Sequence, residues 1–159
     1  MDYFQGVVAD YLNADPAILV KPECLIRLDE HGPLTKGGHW YCDILAAGFR
    51  RRTVFLCEVT LAQSVAALIT RLTEWNAKWT AVHAAVARDN LSGEPWPARP
   101  WVFVPEAQRE RVSAKLSSLF DPAKGPHLMP RPLATSLENV VPWRYSAPLA
   151  LPGENDVDA

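Results

Sequence analysis

His39-Trp40-Tyr41-Cys42-Asp43-Ile44-Leu45-Ala46 and Thr53-Val54-Phe55-Leu56-Cys57-Glu58-Val59-Thr60 are two apolar runs joined by Ala47-Gly48-Phe49-Arg50-Arg51-Arg52. Both are rich in aromatic, β-branched and aliphatic side chains, the composition of strands in a pleated sheet. The link reads as a hairpin turn. Folding the chain back on a centre near Arg50 and Arg51 brings Asp43 opposite Glu58. Directly opposed side chains on one sheet face have Cβ atoms about 5 Å apart, and like charges there are destabilising. Two acids in that position call for a compensating feature, such as a bound cation or a raised pKa at a working site.

Alternation along each strand assigns the sides. Asp43 is expected to share a face with His39, Tyr41 and Leu45, and Glu58 with Leu56 and Thr60. Cys42 and Cys57 then point to the opposite face with Phe55 and Val59, as small core residues.

Outward from the hairpin, Tyr3, Phe4, Val7, Val8, Tyr11 and Leu12 mark one face of a helix over Met1–Asn13. Ile18 to Leu28 is apolar but holds Pro22, so it reads as a bent or edge strand. Asp29 to Gly38 contains Gly32-Pro33 and Gly37-Gly38 and reads as a loop. From Leu61 to Asp89, the residues Val65, Leu68, Leu72, Trp75, Trp79, Val82 and Val86 recur at alternating spacings of three and four. That spacing predicts one long amphipathic helix packed on the sheet, with Arg71, Glu74 and Lys78 as an ion row on its flank. Trp101-Val102-Phe103-Val104 has the wholly apolar character of a central strand. A helix follows from Pro105-Glu106-Ala107 through Phe120, and Leu133 to Trp143 offers a last strand.

The chain has 159 residues and a net charge of −2. One domain over residues 1–143 is expected, with 144–159 as a flexible acidic tail. Setting aside Glu154, Asp156 and Asp158 leaves 15 acids against 16 bases, so contact with nucleic acid must come from a local patch. Arg50-Arg51-Arg52 is the basic cluster available for that role. Cys24, Cys42 and Cys57 have no C-x-x-C spacing, which argues against a disulfide framework or zinc knuckle. The first residues lack a charged segment followed by an apolar run, and no stretch approaches the ~20 apolar residues of a membrane span. A reduced, cytoplasmic protein without a membrane segment is the expectation. There is no Gly-rich phosphate loop and no G-x-S-x-G context.

The order of elements and the two acids resemble the PD-(D/E)xK nuclease superfamily, in which a helix leads into a three-stranded meander, then a helix and a further strand. The resemblance implies an α/β domain with a mixed central sheet flanked by helices, the restriction-endonuclease-like core α-β-β-β-α-β-α. It matches Asp43 to the family's acid on the second strand and Glu58 to the acid on the third, in Glu58-Val59-Thr60. It implies a metal-dependent deoxyribonuclease, with Mg²⁺ or Mn²⁺ held by Asp43 and Glu58. Gln5 or Asp10 on the first helix would add an outer contact.

The family has lysine two residues after the second acid, and this chain has Thr60. The residue before Asp43 is Cys42 rather than proline. A threonine hydroxyl does not supply lysine's charge, so another base must serve or hydrolysis is lost. Lys78, on the long helix, and Lys36, in the glycine loop, are the candidates to join Asp43, Glu58 and Thr60. Three functions remain open: a nuclease acting on DNA, a catalytically silent relative that binds nucleic acid or a protein partner (a second copy included), and a structural subunit whose acids bond to backbone or arginine.

Overall fold

The computed structural model describes residues 2–29, 38–62 and 65–141. The acidic tail expected over 144–159 lies outside the described residues. Helix α1 (Tyr3–Asn13) leads into β1 (Ile18–Arg27), β2 (His39–Gly48) and β3 (Thr53–Val59). Helices α2 (Ala66–Ala77) and α3 (Trp79–Asp89) follow, then β4 (Ala98–Val104), α4 (Glu106–Leu119) and β5 (Leu133–Ser136). Short 3₁₀ turns at Pro122–Lys124 and Leu137–Asn139 flank β5.

The protein is α/β with a five-stranded mixed sheet in the order β1-β2-β3-β4-β5. The first three strands form an antiparallel meander, and β4 and β5 are parallel to β3 and to each other. A hairpin turn suffices between antiparallel neighbours, whereas parallel neighbours need a crossover, supplied here by α2–α3 and by α4. Pro22 lies on β1, at an edge of the sheet, where its missing N–H costs least.

Two apolar layers cover the two faces. On one side Val8, Tyr11 and Leu12 of α1 pack with Ile44, Ala46, Phe55, Cys57, Trp101 and Phe103. On the other, Leu68, Leu72 and Trp75 of α2, Trp79, Val82 and Val86 of α3, and Val112 and Leu116 of α4 pack with Leu45, Val54, Leu56, Val102 and Val104. Thus the stripe read from the sequence is core throughout. The single long helix is corrected to two, parted at Lys78, whose backbone (φ −115°, ψ 23°) leaves helical geometry. Its N–H divides between Glu74 O and Trp75 O, and its ammonium lies 5.4 Å from the centre of the Trp40 ring.

The thiols need a second correction. Cys57 belongs to the α1 layer, but Cys42 belongs to the α2–α3 layer. Ile44 and Ala46 face α1, whereas Cys42 faces α3, so the alternation of β2 resets at Asp43. It also resets in β1, where Ile18 faces α1 but Cys24 and Ile26 face α3. Pairing is in one register on both sides of the reset, from Pro22↔Ile44 to Cys24↔Cys42, so no residue is inserted. Glu23, level with Asp43 in that register, has φ +51°. This left-handed conformation is uncommon for a side chain with Cβ, and it marks where the two strands turn over together.

Candidate active site

The ladder between β2 and β3 runs from Gly48↔Thr53 to Ile44↔Cys57 and stops there. Beyond it β3 stays with β4, through Val59↔Phe103 and the bond from Thr60 N–H to Phe103 O (3.0 Å). Meanwhile β2 stays with β1 as far as Arg27↔His39. The parting leaves the Val59 N–H without a strand carbonyl on β2. The Asp43 carboxylate accepts it instead, Oδ2 at 2.8 Å. Its other oxygen, Oδ1, accepts from Gln5 Nε2 of α1 at 3.0 Å.

Gln5 is itself fixed. Its N–H donates to Asp2 Oδ1 (2.8 Å), while its Oε1 accepts from the Asp2 N–H (3.0 Å). This reciprocal cap satisfies two of the donors left open at a helix start. It also commits the amide oxygen to the backbone, which turns the NH₂ toward Asp43.

Glu58, level with Asp43 at the end of β3, is 3 % exposed. Its Oε2 accepts from Arg71 Nη1 of α2. Its Oε1 is buried with no hydrogen-bond partner among the described residues. Asp43, Glu58, Val59, Thr60, Ala67, Leu68 and Arg71 line one cleft of about 190 Å³. Both acids line this cleft, but they are not the opposed ladder pair expected from alternation, since the β2–β3 ladder stops at Ile44↔Cys57 and Asp43 is hydrogen-bonded to Gln5 of α1 whereas Glu58 is bonded to Arg71 of α2. Burial pushes the Glu58 carboxyl up to about 8, and the Asp43 charge pushes the same way against the pull of Arg71. Burial also raises Asp43, opposed by the Val59 N–H and by Arg71. A cleft that disfavours two negative charges and leaves one oxygen unpartnered suits a cation with hard oxygen ligands.

The other candidate residues distribute unevenly. Thr60 lines the cleft, but its hydroxyl oxygen accepts from the Ala62 N–H at 3.2 Å and closes the turn after β3. Lys78 is directed to Trp40 and does not line the cleft. Lys36 lies outside the described residues. Arg71 is the base that reaches the acids. It follows Leu68 by three positions, only about 60° round the helix from the buried stripe, which is the signal that separates it from a solvated ion row.

Arg50, Arg51 and Arg52 sit in the hairpin turn at the other end of β3. Glu58 lies six positions beyond Arg52, roughly 20 Å along the strand at ~3.3 Å per residue. Arg50 pairs with the buried Asp15 (3.1 Å), which also accepts from the Ala17 N–H (2.9 Å). That arginine therefore holds the turn between α1 and β1. Arg52 takes φ +49° to close the hairpin.

Among the described residues no group of three or more His, Cys, Asp or Glu side chains converges as a metal cage, and no helix is long and apolar enough to cross a membrane. Comparison with protein-family models, with curated proteins and with solved structures finds no match to this chain.

Proposed function

We propose that the protein is a metal-dependent phosphodiesterase acting on DNA, with a divalent cation held by Asp43 and Glu58 and with Arg71 in the role that Thr60 does not fill. The observation that carries this reading is the unpartnered, buried Glu58 Oε1 in a cleft shared with Asp43 and Arg71. The element order, a helix and an antiparallel meander followed by crossover helices and parallel strands, supports a nuclease-like core.

The donor set fits Mg²⁺ or Mn²⁺. Both acids offer oxygen, and Mg²⁺ is commonly held by one or two carboxylates, with water and substrate phosphate completing its shell. When bound, the cation would supply charge neutralisation at the phosphate and an activated water. The chain's own residues do the rest. Gln5 and the Val59 N–H fix the Asp43 carboxylate before any ligand arrives. Arg71, with its side chain 45 % exposed, reaches from Glu58 to the mouth of the cleft. Its planar fork can pass to a phosphate oxygen and stabilise charge that develops there. Ala67 and Leu68 give the cleft an apolar wall that limits water.

A second reading rests on the same ion pair. Arg71 bound to Glu58, with Thr60 committed to Ala62, is a self-contained arrangement, as in a catalytically silent module that binds nucleic acid or a protein partner. Cleavage assays separate the two. Purified protein should nick or cut DNA with Mg²⁺ or Mn²⁺, and Asp43→Ala, Glu58→Ala and Arg71→Ala should each remove that activity. Folded wild-type protein that leaves single- and double-stranded DNA intact with both metals would refute the hydrolytic reading and leave the silent module.

A further inference from the structure

Arg71 is the one cation among the described residues that lines the acidic cleft, and it does so while bound to Glu58. The two partners differ in freedom. Glu58 stands on β3 and is 3 % exposed, so its carboxylate cannot follow a departing partner. Arg71 is on α2 with its side chain 45 % exposed, so its guanidinium can leave Glu58 toward the mouth of the cleft. Asp43 is held from the other side by Gln5 Nε2 (3.0 Å) and the Val59 N–H (2.8 Å), both neutral donors. Among the described residues the positive charge of the cleft is therefore seated on Glu58.

Charge decides what that contact does to a ligand. A divalent cation on Asp43 and Glu58 requires both as carboxylates and shares Glu58 with the guanidinium. Like charges so close in a buried site repel strongly. The guanidinium also occupies Oε2, which leaves Oε1 as the oxygen of Glu58 without a donor. The contact therefore weakens cation binding without abolishing it. A phosphodiester at the mouth acts the other way. Its oxygens match the planar fork of arginine. Its single negative charge offsets the one surplus positive charge that two carboxylates, a guanidinium and a divalent cation leave. Asp2, a further carboxylate near Asp43, is exposed and screened by solvent.

We propose that Arg71 couples cation and phosphodiester binding in the cleft: seated on Glu58 it keeps the cation affinity of Asp43 and Glu58 low, and drawn off by a substrate phosphate it raises that affinity. The inference rests on the metal site of the proposed function and adds a regulation to it, in which the site fills when substrate is present. Linkage makes the effect reciprocal, so the cation strengthens DNA binding by the same factor. A role for Arg71 confined to propping Glu58 predicts the opposite response to substitution, since loss of the prop would weaken cation binding.

The test is Mn²⁺ binding, followed by loss of the free-ion EPR signal, with and without a short DNA duplex, the uptake by DNA alone being subtracted. Wild type should bind Mn²⁺ about tenfold more tightly when DNA is present. Arg71→Gln, which keeps a neutral donor beside Glu58, should bind Mn²⁺ about tenfold more tightly than wild type without DNA. DNA should then change its affinity by a smaller factor than in wild type. The same substitution strengthens a competing proton on Glu58, but a doubly charged ion gains more than a singly charged one. Arg71→Lys retains the charge and should stay closer to wild type than to Arg71→Gln. Circular dichroism checks that each variant is folded, and the wild-type comparison needs no variant. Equal Mn²⁺ affinity of wild type with and without DNA would overturn the inference. So would a folded Arg71→Gln that binds Mn²⁺ no more tightly than wild type. Either result, with Mn²⁺ still bound, leaves the metal site standing. Absence of Mn²⁺ binding by wild type and Arg71→Gln, with or without DNA, would strike the metal site itself and the inference with it.

Discussion

Arg71 of α2 holds one oxygen of Glu58 in β3, and the other oxygen of that carboxylate is buried without a partner. The pair joins a helix to a strand end at the point where β2 and β3 part. The arginine is half in solvent and the acid is not. The predicted effect of Arg71→Ala follows from that asymmetry. The shortened side chain leaves a buried carboxyl without its cation, so the Glu58 pKa should rise further. Carboxyl-resolved NMR titration should see the shift. Stability should fall by about 1–3 kcal/mol, whereas cleavage should fall by a factor on the order of 100 or more. Equal activity in wild type and variant would remove Arg71 from the proposed chemistry.

The raised Glu58 pKa carries a sign for stability. A carboxyl near 8 when folded and near 4.5 when unfolded binds more protons in the folded state between those values. Its contribution is fully present below about pH 4.5 and is lost as pH rises to about 8. The loss across that window is on the order of 5 kcal/mol, with Asp43 shifted in the same direction. Denaturant unfolding in EDTA should show metal-free protein losing stability over this range, and Glu58→Gln should flatten the curve. A wild-type curve that rises with pH would contradict the assigned direction.

Asp43 uses both oxygens on neighbours, so Asp43→Asn should cost about 1–2 kcal/mol, because one amide oxygen cannot accept from both Gln5 and Val59. Gln5→Leu should lose less stability and still weaken cleavage, since it frees one oxygen of Asp43 to reorient. Under the proposed function the two acids act as a unit. Hence Asp43→Ala/Glu58→Ala should be no slower than either single variant. Additive rate losses would show that they act separately.

The core makes a plainer prediction. Trp75 is fully buried and Trp79 is 5 % exposed, so Trp79→Ala should cost ~3–5 kcal/mol in chemical denaturation. A loss under ~1 kcal/mol would be inconsistent with its place beneath the sheet. Cys42 and Cys57 are buried and unbridged, and should react with a thiol reagent only on unfolding.

Strand composition and the hairpin centre were enough to bring Asp43 level with Glu58, because a turn with no inserted residue preserves the register on either side, but not to show that the ladder stops at Ile44↔Cys57. The stripe from Val65 to Val86 was legible for the same kind of reason, since burial repeats with the helix period. The break at Lys78 was not legible, because neither proline nor glycine occurs between Ala66 and Asp89. The face of Cys42 was misassigned because alternation assumes an even pleat, and Glu23, on a different strand, upsets it. Arg71 was read as solvated because it was grouped with Glu74 and Lys78, although its position at the border of the buried stripe, together with its length, lets it reach Glu58. The role of Arg50 depends on Asp15, which is distant in sequence and meets it only once α1 and the hairpin turn are packed.

The most direct test of the central claim is a crystal soaked in Mn²⁺ and measured at the manganese edge. The account predicts an anomalous peak within coordination distance of both the Asp43 and Glu58 carboxylates, and its loss in Glu58→Ala. A well-ordered cleft in which Arg71 remains on Glu58, with no manganese beside either acid, would contradict it.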